Sequence, residues 1–509
     1  MAGRQPGRVE THRPTPVAEA GTMVDTLIIG GGSAGSVLAA RLSEDPGHTV
    51  RLVEAGSHRR SAADFPPELA DSAALPVGGA APWLWRYPAA LTPELPGQIV
   101  RGRGIGGSGA VNGCYFIRAA ARDFAAWSRE AGTLAWDFEE VLPYFRSLEN
   151  DEDYGDHAGH ARTGPVPVRR IARPTRLAQE FAETCMDLGF CEVPDWNSMP
   201  GGPDAGVGPV PCTIGPPDAS GRHRRIGPAH SYLLPALSRP NLIVRGDTVA
   251  VRLRFAGNRV VGADCLAEGK PETIHADRVV LCAGAIESAA LLLRSGIGPA
   301  GQLTELGIPV VVAAPVGEWA VDHPEIGIEY RHPAPAAGAV PLEYVLGFDD
   351  IEIRPYTVGF APGVHRMGVA LMRPTSPGRV RLTGSDPFTP PLIEQGYLAT
   401  AADRSRLRAA VGLAGKILDV MSAQWSGATD EDAISDRWLY ERLGTSQHLA
   451  GTCRMGRSDD PRAVVDERCR VHGVAGLSVV DLSVVPVPLS RGPHATVVLL
   501  AERATADLR

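Results

Sequence analysis

The stretch that decides the fold is VDTLIIGGGSAGSVLAARL, which runs from Val24 to Leu42. Its start, Val24 to Ile29, is apolar at Val24 and from Leu27 to Ile29, which is typical of a buried parallel strand. A Gly-x-Gly-x-x-Gly turn follows at once, and Ser33 to Leu42 then carries an Ala-rich helical pattern. A second apolar segment, Thr49 to Val53, predicts the next strand and ends in Glu54. Strand, glycine turn, helix, strand and acid stand in the order of a βαβ dinucleotide-binding unit.

The three glycines of this turn each have a physical task. Gly30 allows the tight turn, Gly32 lets backbone approach a pyrophosphate, and Gly35 lets helix and strand pack closely. The helix that starts at Ser33 offers free N–H groups and the positive end of its dipole to a phosphate. Glu54 is placed to accept a hydrogen bond from a ribose 2′-hydroxyl, and its charge disfavours the 2′-phosphate of NADP. The pattern does not separate NAD from FAD, and a glycine turn without a ligand is the remaining alternative.

A second glycine-rich segment, RGRGIGGSGAVNG, runs from Arg101 to Gly113 and contains six glycines in 13 residues. No helix or strand tolerates that content, so the segment is a loop whose backbone closely approaches another group. Asn112 adds an amide that can both donate and accept hydrogen bonds. Beside a dinucleotide fingerprint, the loop predicts a second backbone cradle for the same cofactor, with an unliganded loop as the alternative.

Several segments, in order along the chain, resemble the glucose–methanol–choline (GMC) family of flavoprotein oxidoreductases. The second glycine segment is similar to the first signature of that family, and GAIESAALLLRSGIGP, Gly284 to Pro299, is similar to the second. VGEWAVDHPE, Val316 to Glu325, resembles the loop that follows the second signature. HLAGTCRMG, which starts at His448, and VVDERCRVHGVAGLSVVDLSVVP, Val464 to Pro486, resemble the C-terminal block. The resemblance extends from Asp25 to the C-terminus.

The resemblance implies FAD as the cofactor and an α/β fold, with an FAD-binding Rossmann-like domain and a discontinuous α+β substrate domain built on an antiparallel sheet. In some members a histidine beside the asparagine of the first signature links the flavin covalently. Val111 stands at that position here, so dissociable FAD is expected. Cofactor contacts are expected at Gly30, Gly32, Ser33, Ala34, Gly35, Glu54, Ala55, Arg103, Gly106, Gly107, Ser108, Asn112, Val249, Ala283, Gly284, Asp481, His494, Ala495 and Thr496.

Two late histidines are the expected centre of the reaction. His448, in SQHLAGT, and His494, in GPHAT, lie among glycine and other small residues that let backbone approach a planar ring. Alcohol oxidation needs a base for the O–H proton while the C–H hydride moves to flavin N5, and imidazole, with an ordinary pKa of about 6.5, suits that task. The resemblance assigns the catalytic base to His448 and its active-site partner to His494. A satisfied core or surface histidine is the alternative for each.

Other polar residues receive structural interpretations. His323, in the DHP turn, is expected to be structural, and Gln447 stands where many relatives carry an aromatic residue. The basic run Arg222 to Arg225 is typical of a solvated loop. Contact with FAD phosphates or with an acidic partner, and a structural role for Arg222, are the alternatives. No HExxH, CxxC or carboxylate cluster accompanies the two late histidines, so no metal is expected.

The pattern also predicts how the chain is divided. Residues 1–22 are polar and Pro-rich, lack the apolar region of a secretory signal and predict a disordered extension, with Met23 as an alternative start. The FAD-binding domain is assigned to residues 23–155, 205–315 and 446–509, and the substrate-binding domain to residues 156–204 and 316–445. The supporting elements are strands at 278–282 and 477–480, a hairpin over 248–255 and 259–265, strands within 342–354 and 365–382, and a helix over 403–421.

Composition excludes several classes of function. The 509 residues are 44% hydrophobic and 21% charged, with a formal net charge of -8, which is typical of a soluble globular protein of more than one domain. Nothing in the charge balance suggests nucleic-acid binding, which favours a concentrated basic face. The longest apolar runs, such as Ile308 to Val316, are far shorter than the roughly 20 residues of a membrane helix. Eight cysteines without a CxxC pair favour the reducing cytoplasm, with a peripheral position at a membrane as an alternative.

A narrower resemblance bears on the substrate. The segments PWLWRYP (82–88), EIRPYTVGF (352–360), GVALMRPTSPGRVRL (368–382) and SRGPHAT (490–496) are similar to an actinobacterial GMC branch tied to the redox cofactor mycofactocin. This implies a dehydrogenase that oxidises reduced mycofactocin and passes electrons to the respiratory chain. The alternatives are an oxygen-using oxidase of a small alcohol or sugar, an FAD-containing lyase without redox turnover, and a redox-silent binding protein.

Overall fold

The first strand of the stretch that decides the fold, Val24–Ile29, lies at the centre of a parallel sheet. The computed structural model describes residues 23–199, 201–361, 363–427 and 429–509, so the expected extension 1–22 lies outside the described residues. The parallel strands are, in spatial order, Leu242–Arg245, Val50–Val53, Val24–Ile29, Lys270–Leu281 and Leu477–Val479. The strand order reverses beside the central strand, and ligands of such sheets bind at the carboxyl ends of the strands at this point. Val24–Ile29 and the helix Ser33–Leu42 have the bounds that the sequence predicts.

The long strand Lys270–Leu281 belongs to two pairings. Its second half lies in the parallel sheet, whereas its first half pairs antiparallel with Arg259–Ala267. That strand pairs in turn with Thr248–Ala256, which is the predicted hairpin. Gly257, at the hairpin turn, has a φ of +61°, a conformation that favours glycine.

The two ends of the described chain pack against each other. The first helix, Ser33–Leu42, and the last, His494–Leu508, are in contact and share one hydrophobic core with the parallel sheet. An ion pair of 2.9 Å joins Arg41 to Glu502, and the hydroxyl of Tyr232 donates to the same carboxylate. The N-terminal ends of both helices can therefore serve one site.

An antiparallel sheet forms the core of the second unit. Its strands are, in spatial order, Gln424–Trp425, Pro324–Arg331, Val364–Leu371, Ile351–Ala361, Tyr344–Phe348 and Gly206–Pro209, and Leu443–Thr445 also pairs with Pro324–Arg331. The helices Arg176–Asp187 and Ala401–Val420 pack against this sheet and share its core. The predicted fold class, an α/β protein with an α+β unit on an antiparallel sheet, is confirmed.

The predicted domain limits stay a proposal, and the strand pairing adds one element to the second unit. Gly206–Pro209 pairs with Tyr344–Gly347 in the antiparallel sheet, although the limit at residue 205 assigned it to the FAD-binding domain. The segment reads Gly-Val-Gly-Pro, so it carries no alternation from which a strand could be predicted.

A third sheet leads into the second glycine segment. Leu84–Thr92 and Leu95–Gly102 form a hairpin, Leu392–Glu394 pairs with the first of these strands, and Arg379–Arg381 pairs with Leu392–Glu394. The remaining α-helices of the described residues are Pro67–Ala70, Ala121–Ala131, Phe138–Leu148, Leu234–Ala236, Gly284–Arg294, Ala300–Glu305 and Asp436–Arg442. Two short strand pairs complete the list: Glu149–Asp151 with Val166–Val168, and Ile297–Gly298 with Val312–Ala313. None of the helices in the described part of the chain is long and apolar enough to cross a membrane.

Candidate active site

Two glycine loops lie back to back at the carboxyl end of the central strand. We define the first glycine loop as residues 30–35 and the second as residues 101–113. The N–H of Gly106 donates to the carbonyl of Gly31 over 2.9 Å. A Cβ on Gly107 would lie 2.7 Å from the Cα of Gly32, whereas a Cβ on Gly32 would meet nothing closer than 3.9 Å. The loops therefore need bare backbone where they touch and leave an open cradle in front of Gly32.

The remaining glycines of the first loop are fixed by close packing. A Cβ on Gly35 would lie 1.9 Å from the carbonyl oxygen of Gly30. Gly30 has a φ of +107°, and a Cβ there would lie 2.5 Å from the carbonyl oxygen of Cys282. Ala34 is buried between these positions. Helix, central strand and the strand ending at Leu281 therefore approach as closely as the motif requires.

Glu54 holds the strand ends and both loops together. Its Oε2 accepts from the N–H of Gly31 over 2.8 Å, and its Oε1 accepts from those of Gly56 and Gly104 over 2.9 Å each. A carboxylate has about four acceptor positions, so one remains for a ribose hydroxyl. The carbonyl of Glu54 accepts from Thr248, which places the neighbouring Val249 at the same strand end.

Arg103 and Ser108 occupy the rim of the second glycine loop. The guanidinium of Arg103 lies over the ring of Trp85, 4.5 Å from its centroid, and donates to the carbonyl of Ala55. Ser108 is exposed, and its hydroxyl accepts from the N–H of Gly102. A Cβ on Gly102 would lie 2.1 Å from the carbonyl oxygen of Gly107, so the loop closes tightly on itself.

Asp481 joins the family's second signature to the C-terminal block. Its Oδ2 accepts from the N–H of Gly284 over 2.9 Å and from the hydroxyl of Ser288 over 2.5 Å. Its Oδ1 accepts from the N–H of Ser483. Burial raises the pKa of the Asp481 carboxyl, although the Ser288 and Ser483 hydrogen bonds oppose this. Asp481 and the Ala283–Gly284 backbone thus lie together beside the carboxyl end of the sheet.

The last helix begins at His494 and points its first turn at the two loops. A Cβ on Gly109 would lie 2.6 Å from the Oγ of Ser33 and 3.4 Å from the Nε2 of His494, so all three segments meet there. Ala495 and Thr496 are buried behind His494. Within the described chain, the Nε2 of His494 and the Oγ1 of Thr496 are buried without a hydrogen-bond partner.

These features fit FAD. The open cradle before Gly32 and Gly107 suits a pyrophosphate, and Glu54 retains an acceptor position for a ribose. Two helix N-termini, at Ser33 and His494, supply free N–H groups. Buried polar atoms without partners cost free energy unless a ligand or water pairs with them, and the unpaired Nε2 of His494 and Oγ1 of Thr496 lie at the same place.

Asn112 fixes the tautomer of His494. Its Oδ1 accepts from the N–H of Cys114 over 3.0 Å, so its Nδ2 is the group that lies 3.1 Å from the Nδ1 of His494. Nδ2 can only donate, hence Nδ1 of His494 accepts and Nε2 carries the proton. Burial lowers the pKa of His494 to about 4, so the ring is neutral near pH 7 and presents an N–H donor.

His323 holds the ring of His448 through its Nδ1. The two Nδ1 atoms lie 2.8 Å apart, so one of them donates a hydrogen bond and the other accepts it. His448 can act as a base at Nε2 in the tautomer in which its Nδ1 donates to His323.

Both rings of this pair are neutral near pH 7. Burial, with a smaller contribution from Arg354, lowers the pKa of His323 to about 3. Burial, followed by His323, Arg354 and Arg101, holds the pKa of His448 well below its ordinary value. Near pH 7, therefore, His448 is a neutral imidazole that can accept a proton, and His494 presents an N–H donor.

His323 and Arg225 have larger roles than the sequence predicts. His323 was expected to be structural, but it touches the expected base, and only the adjacency of the DHP turn to family motifs could have indicated this. The basic run divides: Arg222 is exposed, whereas Arg225 is buried and donates to the carbonyls of Leu69, Ala74, Ala110 and Asn112. The solvated-loop interpretation is wrong for Arg225 because this residue is buried. The sequence could not show this, since the carbonyls that accept from Arg225 are distant in sequence.

A buried ion network lies beside the His448 segment. Arg354 donates to Glu352 over 2.7 Å, and to Glu325 and the hydroxyl of Ser446 over 2.9 Å each. The hydroxyls of Tyr115 and Tyr356 donate to Glu352 and Glu325, respectively. Two carboxylates around one guanidinium leave an excess negative charge near Ser446, two residues before His448.

A second buried network is the cluster in the described residues that could hold a metal, formed by Glu149, Asp151 and His160. Arg118 pairs with Glu149 and Arg170 with Asp151, each over 2.7 Å, so the carboxylates already have cationic partners. His160 uses both ring nitrogens, on Glu149 and on Asp195, over 3.0 Å each. A cation would have to displace these partners, so the cluster is better explained as a structural ion network.

Comparisons with known proteins agree with this geometry. Two family models described as GMC oxidoreductase match residues 24–325 and 374–501. An uncharacterized GMC-type oxidoreductase of Rhodococcus erythropolis is 44% identical over 500 residues, which is 95% of this chain and 98% of that protein. An oxygen-dependent choline dehydrogenase of Staphylococcus xylosus is 32% identical over 547 residues, covering 95% and 94% of the two chains.

A solved structure shows the same fold. The crystal structure of pyridoxine 4-oxidase from Mesorbium loti matches with a TM-score of 0.86 and 30% identity, covering 95% of this chain and 99% of that one. The matches extend over both the parallel and the antiparallel sheet. The chain belongs to the GMC oxidoreductase family and is, as the motifs predict, an FAD-dependent oxidoreductase of CH–OH donors.

Proposed function

We propose that this protein is a dehydrogenase that oxidises the alcohol group of reduced mycofactocin and delivers the electrons to a component of the respiratory chain. The observation that carries the alcohol chemistry is the state of the two rings: His448 is neutral with its Nδ1 held by His323, and His494 is neutral with an N–H donor at Nε2. The four segments similar to the mycofactocin-associated branch support the choice of donor.

The residues divide the work as follows. His494 donates a hydrogen bond to the alcohol oxygen and orients it. His448 then takes the hydroxyl proton at Nε2, while His323 holds its ring through Nδ1. FAD, when bound, supplies the hydride acceptor. The glycine loops, Glu54 and the first turn of the last helix would hold it, with a non-covalent attachment because Val111 offers no linking atom.

An anaerobic screen tests the proposal. Candidate alcohols, with reduced mycofactocin among them, are mixed with the holoenzyme, and loss of the oxidised flavin absorbance is followed. We expect reduced mycofactocin to bleach the flavin in the wild-type protein and not in His448→Ala. Bleaching by small alcohols alone, or by none of the compounds, contradicts the assignment.

A second candidate is an oxidase that uses oxygen on a small alcohol. The relatives named oxygen-dependent choline dehydrogenase and pyridoxine 4-oxidase favour it. The peroxide yield per alcohol oxidised separates the two, since an oxidase forms one peroxide per turnover. An FAD-containing lyase is a weaker alternative and predicts no bleaching.

A further inference from the structure

A buried carboxylate, Asp322, holds the segment that carries the expected base. Its Oδ1 accepts from the backbone N–H of His448 and from that of His323, over 2.7 Å each. Its Oδ2 accepts from the hydroxyl of Thr445 over 2.9 Å and from the amide of Gln395 over 3.0 Å. One carboxylate therefore ties together three segments that are distant in sequence.

The direction of each hydrogen bond follows from its neighbours. The hydroxyl of Thr445 accepts from the N–H of Gln447, so its proton is free to go to Asp322. Gln395 presents its Nε2 to Asp322, and its Oε1 is buried without a partner among the described residues. All four groups around Asp322 thus act as donors, which suits an ionised carboxylate.

Charge around the base is nearly balanced. Arg101 from the second glycine loop and Arg354 from the antiparallel sheet face His448, as does neutral His323. Arg101 and Tyr397 lie beside Asp322, and Glu325 reaches Ser446. Arg101 and Arg354 are matched in number by Glu325 and Glu352, so Asp322 supplies the remaining negative charge that can balance a proton on His448.

We propose that Asp322 is the positioning residue of the catalytic base: its carboxylate fixes the backbone of His448 and balances the imidazolium formed when His448 takes the alcohol proton. In that step the alcohol O–H bond breaks and an N–H bond forms at Nε2 of His448, while the hydride leaves the carbon for the flavin. The inference rests on the proposed function for the identity of the step. Burial raises the pKa of Asp322, and Arg101 and the two backbone hydrogen bonds oppose that rise. The four donors around the carboxylate favour its ionised form.

Asp322→Asn is the informative variant because the site can accept it. The Oδ1 of asparagine keeps both backbone hydrogen bonds, and Gln395 can turn its unpaired Oε1 toward the new amide. The variant therefore removes the negative charge and keeps the hydrogen bonds from the backbone N–H groups of His323 and His448. Asp322→Ala removes both. The matched control is Asp403→Asn, since Asp403 is also fully buried and accepts from the backbone N–H and hydroxyl groups of Thr375 and Ser376, away from His448.

Anaerobic flavin reduction and FAD content are measured for all three variants. We expect Asp322→Asn to bind FAD normally and to be reduced about tenfold more slowly, as a shift of about one pKa unit implies. Asp322→Ala should be slower by about a further tenfold, as expected for a misplaced base. Asp403→Asn should keep the parental rate. A parental rate in Asp322→Asn overturns the proposal.

A second readout needs no substrate. The titration of His448, followed by NMR of the ¹⁵N-histidine-labelled holoenzyme and assigned with His448→Gln, should move to lower pH in Asp322→Asn and stay in place in Asp403→Asn. An unchanged titration overturns the electrostatic role even where the alcohol assignment holds, whereas a wild-type flavin that no alcohol reduces contradicts the proposed function alone. If Asp322→Asn does not fold, Thr445→Val takes its place, because it removes one hydrogen bond to Asp322. Slower flavin reduction with normal FAD content supports the positioning role of Asp322, and a parental rate overturns it.

Discussion

The two candidate active-site histidines, His448 and His494, are distinguished by their hydrogen-bond partners rather than by their sequence surroundings. His448→Ala should retain FAD and slow flavin reduction by about 10²-fold or more, the scale of a lost general base. His494→Asn should be milder than His494→Ala, because asparagine still donates a hydrogen bond. Rapid anaerobic mixing measures both, with His275→Ala, an exposed histidine on another strand, as the control. Parental reduction in His448→Ala would place the base elsewhere.

The same neutrality predicts the pH dependence of reduction. A base acts only above its pKa, and burial with neighbouring cations holds the pKa of His448 well below its ordinary value. Reduction should therefore keep its maximal rate as the pH falls through about 6.5, the ordinary value for histidine, and decline only below it. The apparent pKa read from this decline belongs to the interacting group of residues around His448 and not to one ring alone. A limb at or above the ordinary value contradicts the buried, neutral base.

His160 gives a prediction about stability. Burial alone would lower its pKa, but the hydrogen bonds that His160 donates to Asp151, Asp195 and Glu149 outweigh this and raise the pKa to about 10. Because the folded-state pKa is raised above about 6.5, the stabilisation is complete below that pH and is lost as the pH rises through about 10. Thermal unfolding should show a falling Tm across this window, with a flatter profile in His160→Gln. Equal slopes in both proteins would contradict it.

Among the elements, the first glycine loop separates binding from folding. The nearest atom to a Cβ at Gly32 would lie 3.9 Å away, so Gly32→Val should fold and yet fill the cradle. A Cβ at Gly35 would lie 1.9 Å from a carbonyl oxygen, so Gly35→Ala should disturb folding itself. The FAD-to-protein absorbance ratio and the far-UV spectrum distinguish these outcomes. Gly301→Ala, where nothing lies within 4 Å, is the control. Full FAD content in Gly32→Val would contradict the cradle.

Elements governed by local chemistry could be predicted from the sequence, and those governed by distant contacts could not. The helix predicted at 403–421 is Ala401–Val420, capped by the Thr400 hydroxyl. The strand predicted over 342–354 is in fact two strands, because Asp349 and Asp350 adopt φ of +42° and +64° and form a tight turn. The strand predicted over 365–382 ends at Leu371, since Pro374 and Pro377 interrupt it.

The residues of the candidate site also divide into those that local motifs predict and those that depend on distant contacts. The glycine loops and His448 carry motifs that can be read in a single sequence. The roles of His323 and Asp322 depend on contacts across more than 120 residues. No periodicity or spacing reports such contacts. The sequence thus predicts a base at His448, whereas only the structure shows the groups that hold its segment.

At the scale of the whole molecule, the fate of the electrons separates the two candidate functions. The family fold is shared by relatives named as oxidases and as dehydrogenases, so the fold does not decide between them. If the proposed function holds, reduced protein should reoxidise slowly in air and faster with a quinone, an artificial dye or a respiratory membrane fraction. The reason is that a dehydrogenase limits the access of oxygen to its flavin and relies on a docking or diffusing acceptor.

Stopped-flow mixing of the dithionite-reduced holoenzyme with oxygenated buffer measures this directly. The same reduced protein is mixed anaerobically with a quinone as the matched comparison, and peroxide is assayed in both cases. We expect the quinone reaction to keep pace with steady-state turnover and the oxygen reaction to lag behind it. Reoxidation by oxygen as fast as turnover, with one peroxide per flavin, would leave the oxidase reading standing. Because the measurement starts from chemically reduced flavin, it decides the acceptor even before the alcohol is identified.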